Sequence, residues 1–104
     1  MLSTTKPRPV AAPKHLAQTE RELWDRITRA FSVGDPGSQE LLLQACEARG
    51  RAREARLILA KDGYTYKDHK GNLRAHPCVA MERTSQQSFL AAMRLLRLDI
   101  NAGD

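Results

Sequence analysis

Three side chains stand close enough in the sequence to raise metal chemistry: His69, His76 and Cys78. Imidazole and thiolate are ligands that zinc favours, and a small metal-dependent nuclease built on them is one reading of the chain. The spacing speaks against it. A structural zinc site takes four ligands, usually as two close pairs, whereas His-x6-His-x-Cys offers three in one run. His76 immediately precedes Pro77 and is better explained as a polar residue that caps a helix start. No glycine-rich loop leads into a Lys-Ser or Lys-Thr pair, and no Gly-x-Ser-x-Gly elbow occurs. Asp and Glu are scattered, without the cluster that a nuclease metal centre needs. The residues therefore point to a chain with no catalytic group, no metal site and no cofactor.

The chemistry that is left is charge. Seventeen Lys and Arg against twelve Asp and Glu leave a net +5, which suits a polyanionic partner such as nucleic acid. Arg49, Arg53 and Arg56 fall on one face of a single helical stretch, and guanidinium groups so arranged can follow a phosphate backbone. Glu47 and Glu54 lie near them, so the same stripe also reads as a solvated face. Lys6, Arg8 and Lys14 belong to an acid-free start that also holds Pro7, Pro9 and Pro13. Proline there blocks helix and favours extended chain. Residues 1–15 read as a flexible basic arm, either a frayed terminus or a segment that touches phosphates.

The elements that would position these groups are mostly helical. Residues 16–100 form one domain, followed by a tail over 101–104. Thr19 and Glu22 have capping-box spacing, and Leu23 and Ile27 recur at helical period, which predicts a first helix over 19–31. Trp24, a conceivable base-stacking platform, reads instead as core beside Leu23 and Ile27. The stretch Val33-Gly34-Asp35-Pro36-Gly37 breaks that helix. Asp35 and Pro36 suit the cap and first position of a second, long helix that ends at Asp62, with Gly63 as its stop. Gly50 weakens this helix locally. A break of this length followed by so long a helix does not suit a helix-turn-helix.

Along the long helix, Leu41, Ala45, Ala48, Ala52, Ala55 and Leu59 alternate spacings of four and three, a seam with a small-residue middle. Two partners fit such a seam: another helix of the same chain, or a second subunit. Cys46 lies among leucines and alanine and reads as a small core hydrophobe. Two cysteines make no disulfide framework. Tyr64-Thr65-Tyr66-Lys67 and Leu73-Arg74-Ala75 read as short strands around a turn from Asp68 to Asn72. The tip of this hairpin is polar and basic, so it is either a contact loop or a plain connector. The last helix opens at His76-Pro77, has a polar first half with Glu82, Arg83, Gln86 and Gln87, and fades near Leu98. Its apolar face carries Val79, Phe89, Met93, Leu96 and Ile100. No apolar run is long enough to span a membrane, and residues 1–14 lack a secretory signal, which places the chain in the cytoplasm.

The linear order of these features is Pro13-Lys14-His15-Leu16, Leu23-Trp24, Asp35, Leu41 to Cys46, Arg53 to Leu59 and Gly63. The Asp68 to Gly71 turn follows, then His76-Pro77, Glu82-Arg83, Phe89 and a leucine-rich end at Leu95 and Leu98. This order resembles that of phage terminase small subunits of the P27 type, from about Pro13 to Leu98. Arg97 departs from it, standing where that family often has glycine.

The resemblance implies a mainly α fold: a helical hairpin with a long central helix, a small β-hairpin and a C-terminal helix. It also implies a non-catalytic, DNA-binding homo-oligomer, a ring, acting in the host cytoplasm during viral genome packaging. Its partners would be viral double-stranded DNA, the large terminase subunit that carries the ATPase and nuclease, and in some related phages an HNH endonuclease. The family motif fixes no DNA-contacting residue, so Arg49, Arg53, Arg56, Lys6, Arg8 and Lys14 are candidates from charge and helical phase alone. Candidate subunit contacts are Ala45, Ala48, Ala52, Ala55, Leu59, Phe89, Met93 and Leu96. A small basic transcription regulator, monomeric or dimeric on operator DNA, is the alternative.

Overall fold

A computed structural model describes residues 10–31 and 33–96. The elements follow in the order α1 (Gln18–Ala30), α2 (Pro36–Asp62), β1 (Thr65–Lys67), β2 (Leu73–Ala75) and α3 (Pro77–Leu96). The fold is mainly α, as the sequence predicts. Leu98, Ile100 and the tail, like the start of the arm, lie outside the described residues.

The 27 residues of α2 make a rod about 40 Å long. Local chemistry sets both its ends. Asp35, in extended conformation, accepts the Ser38 N–H at 2.9 Å, and Pro36 takes the first turn, where no N–H is needed. The Ser38 hydrogen bonds hold the Asp35 carboxyl below its ordinary value. At the far end Gly63 adopts φ +85° and donates to the Leu59 carbonyl at 2.7 Å, a conformation that a side chain would strain.

α3 runs back antiparallel along the alanine seam. Ala45 and Ala48 pack with Phe89 and Ala92, and further along Ala55 and Leu59 pack with Cys78. Ala45, Ala48, Ala52 and Ala55 are 0–1% exposed, and Leu59 is 2% exposed. The seam is thus consumed inside the chain, because alanine lets α3 approach closely and leaves no surface for a second copy. Of the two partners open to Ala45, Ala48, Ala52, Ala55 and Leu59, a helix of the same chain is the one that covers them in this structure. Phe89 is likewise buried, while Met93 and Leu96 are half-buried against the core.

α1 covers another side of α2. Leu16, Trp24, Ile27, Val33, Leu42 and Cys46 form its core cluster. Trp24 is buried, as expected, and its indole N–H donates to the Val10 carbonyl at 2.7 Å. Val10 and Ala12 also pack on this cluster, so the described part of the expected arm, residues 10–15, rests against the fold. The Cys46 thiol sits in this core, and burial, helped by the Glu20 and Glu47 charges, pushes its pKa up to about 12. The capping box is not formed. α1 starts after Ala17, which has no side-chain oxygen to cap with, and Thr19 lies inside the first turn. Burial of Leu16 beside Trp24 fixes where the chain enters the helix and overrides the local cap signal.

Between α2 and α3 the two strands pair antiparallel, with Thr65 opposite Ala75, Tyr66 opposite Arg74 and Lys67 opposite Leu73. All six residues are exposed, so the hairpin stands clear of the core. One backbone position in the core region is open to improvement. A Cβ at Gly50 would meet the Glu20 side chain at 3.5 Å, an ordinary van der Waals contact. Gly50→Ala should therefore stabilise the protein by about 0.5–1 kcal/mol, read as a higher urea midpoint at unchanged m-value.

Candidate nucleic-acid interface

Each arginine of the central stripe holds α2 to a neighbouring helix. Arg53 donates from Nε and Nη2 to the two carboxylate oxygens of Glu20 on α1, both at 3.0 Å. Glu20 is only 2% exposed, so this fork is what compensates its burial. The same hydrogen bonds and charge raise the Arg53 pKa further, fixing its positive charge. Arg56 Nε donates to Glu82 Oε2 on α3 at 2.7 Å. The Arg49 guanidinium lies over the Phe89 ring on α3, 5.0 Å from its centroid.

The stripe expected to follow phosphates is thus engaged within the chain. For Arg53 the physical reason is decisive: binding a phosphate would abandon a buried carboxylate. The Lys14 side chain is exposed, and its backbone carbonyl accepts a 2.7 Å hydrogen bond from Arg21 Nη2. Lys6 and Arg8 lie outside the described residues.

The hairpin presents a different arrangement. Asp68 organises its turn: Oδ1 accepts the N–H groups of Lys70 and Asn72, each at 2.9 Å, and Oδ2 accepts Arg74 Nε at 3.0 Å. The Arg74 guanidinium, with the Asn72 and Lys70 amides, holds the Asp68 carboxyl below its ordinary value of 3.8. Gly71 closes the turn at φ +83°, its N–H donating to the Asp68 carbonyl at 2.9 Å. At the base, the His76 backbone N–H donates to the Tyr64 carbonyl at 2.7 Å.

The His76 ring caps α3. Nδ1 accepts the Cys78 N–H at 3.0 Å, which leaves Nε2–H to donate to Asp62 Oδ2 at 3.1 Å. Both ring nitrogens are therefore occupied, while Cys78 packs on Ala55 and Leu59. Among the described residues no group of three or more His, Cys, Asp or Glu side chains is placed to hold a metal ion.

Both acids of this end are thus matched internally. Lys61, Lys67 and Lys70 are exposed and join no ion pair among the described residues. Tyr64 is 65% exposed, Tyr66 47% and Leu73 67%. The register sets Tyr66 and Arg74 on one face and Lys67 with Leu73 on the other. Sequence reasoning recognised the hairpin and its basic tip but named no nucleic-acid contact in it, singling out only His69 for metal chemistry. The available signal was the Tyr-x-Tyr alternation beside three lysines.

A family model described as phage terminase, small subunit, matches residues 21–103, from the first turn of α1 through the hairpin and α3. The chain belongs to the phage terminase small-subunit family. No curated protein and no solved structure matches it. In this terminase small subunit no helix among the described residues is long and apolar enough to cross a membrane.

Two measurements probe the site's electrostatics. Arg53→Ala leaves Glu20 buried without its partner and should cost about 3 kcal/mol in chemical denaturation, the lower end for such pairs because part of Arg53 reaches solvent. If stability is unchanged, the pair does not join α1 to α2. The second concerns pH. Because folding depresses the Asp68 pKa, its contribution to the hairpin is fully present above 3.8 and is lost as pH falls through the lower folded value. The Lys70 and Asn72 amide resonances should keep their hairpin shifts down to about pH 4 and lose them only in stronger acid. In Asp68→Asn those shifts should already be altered at neutral pH.

Proposed function

We propose that this terminase small subunit, of the P27 type within its family, is a non-catalytic, homo-oligomeric adaptor. It recognises viral double-stranded DNA and regulates the large terminase subunit during genome packaging in the host cytoplasm. The observation that carries this reading is the family match over residues 21–103. The net charge of +5 supports the DNA partner. Repeating one such subunit around a ring builds a strong positive field from a modestly charged chain. An HNH endonuclease is a further partner in the same packaging assembly.

With the alanine seam buried, contacts between copies fall to other side chains. Leu90 and Leu95 on α3 are exposed, beside the half-buried Met93 and Leu96. Burying them would remove apolar surface that a lone subunit leaves in water. The second half of α3 is accordingly the proposed subunit contact.

Light scattering after size exclusion tests the assembly, and the ATPase rate of the large subunit tests the role. The expected result is a discrete closed oligomer that binds viral DNA with affinity falling steeply as salt rises, and that changes the ATPase rate when added. Leu90→Glu together with Leu95→Glu should reduce the mass to that of a single chain. A monomer that binds no DNA and leaves the large subunit unaffected would overturn the proposal.

A further inference from the structure

The β1–β2 hairpin combines features that no other exposed part of the described chain shares. Its two acids are both engaged locally: Asp68 is paired with Arg74 and backbone amides, and Asp62 accepts a hydrogen bond from His76. Its lysines are not. Lys61, Lys67 and Lys70 therefore project positive charge, with two exposed tyrosines between them in the chain. A two-stranded sheet alone is marginal in water, yet this one is held at its turn by Asp68 and at its base by helices that continue from both strands. The result is a preorganised ribbon with both faces open to solvent.

We infer that this hairpin is the element that grips double-stranded DNA, entering the groove so that Tyr66 and Arg74 face one wall while Lys67, on the opposite face, and Lys70 at the turn meet phosphates of the other. The inference rests on the DNA-binding reading above and assigns it a place. Tyrosine hydroxyls and lysine ammonium groups are common donors to phosphate oxygens. Two strands about 5 Å apart make a ribbon that a major groove about 12 Å wide admits. A protein partner fits less well. Strands of three residues offer few backbone groups for an added strand, and the exposed charge is mostly positive. The arginine stripe of α2, by contrast, is occupied by Glu20, Glu82 and Phe89.

The test uses the full chain, a labelled double-stranded fragment of the phage genome and a salt series read by fluorescence anisotropy. Lys67→Gln with Lys70→Gln should weaken binding about thirtyfold at about 0.15 M salt and lower the salt slope by about two per engaged chain. Tyr66→Phe, which removes only a hydroxyl, should weaken binding while leaving the slope unchanged. All these side chains are exposed, so thermal midpoint and oligomer mass should match the parent protein. If the double variant binds with parental affinity and slope, the hairpin is not the grip, although the DNA-binding reading stands. If the variant binds DNA normally but no longer alters the large subunit's ATPase, the hairpin belongs to a protein contact and the inference fails. If the parent protein binds no duplex, the DNA-binding reading and this inference fall together.

Discussion

Close approach of α3 to the alanine face of α2 is the constraint on which the other features depend. Alanine at positions 45, 48, 52 and 55 removes the side-chain volume that would hold the helices apart, and close packing favours an arrangement without gaps. Once α3 lies there, α1 must bury its own apolar side elsewhere on α2, around Leu42 and Cys46. The connection between the antiparallel helices must then reverse beyond their ends, which is where the hairpin sits. An interface made by such small side chains gains little from each one, so polar links at its borders matter more. Arg49 and Arg56 bridge to α3 along that border, and Arg53 bridges to α1.

Where a feature was encoded by neighbouring residues, the sequence was legible. Asp35-Pro36 and Gly63 bound α2 where expected, the turn centred on Asp68 and Gly71 forms, and Pro77 opens α3. Each rests on a backbone preference or a hydrogen bond within a few residues. Thr19 shows the limit of such reasoning. Its spacing to Glu22 is that of a cap, yet the helix entry follows the burial of Leu16, a tertiary effect that spacing does not contain. The alanine seam shows a second limit. Periodicity identifies a face and says nothing about which helix will cover it.

The candidate site was less legible than the fold for a related reason. Arg53 and Glu20 are 33 residues apart, and Arg56 and Glu82 are 26 apart. Helical phase placed the three arginines together correctly, but their partners came from other helices. Glu47 and Glu54, the acids visible nearby in the sequence, are not the ones that Arg53 and Arg56 contact. The segment 10–15 illustrates the same point: proline and basic residues suggest a loose arm, while the Trp24 hydrogen bond to Val10 ties it down. The family, in contrast, could be read from linear order, because order survives when individual contacts are unknown.

Four of the arginines are used differently from the described lysines. Arg53, Arg56 and Arg74 each meet a carboxylate, and Arg49 meets an aromatic ring. Lys14, Lys61, Lys67 and Lys70 join no ion pair among the described residues. The planar guanidinium is less strongly hydrated and can close a two-bond fork, which favours its use at partly buried, fixed positions. The ammonium group is compact and well hydrated on a flexible stem, which suits contacts that must form and release in water. Net charge alone therefore misjudges where a polyanion would be held. The charge of Arg53, Arg56 and Arg74 is balanced at its source, whereas Lys61, Lys67 and Lys70 leave theirs open to a partner at the hairpin end.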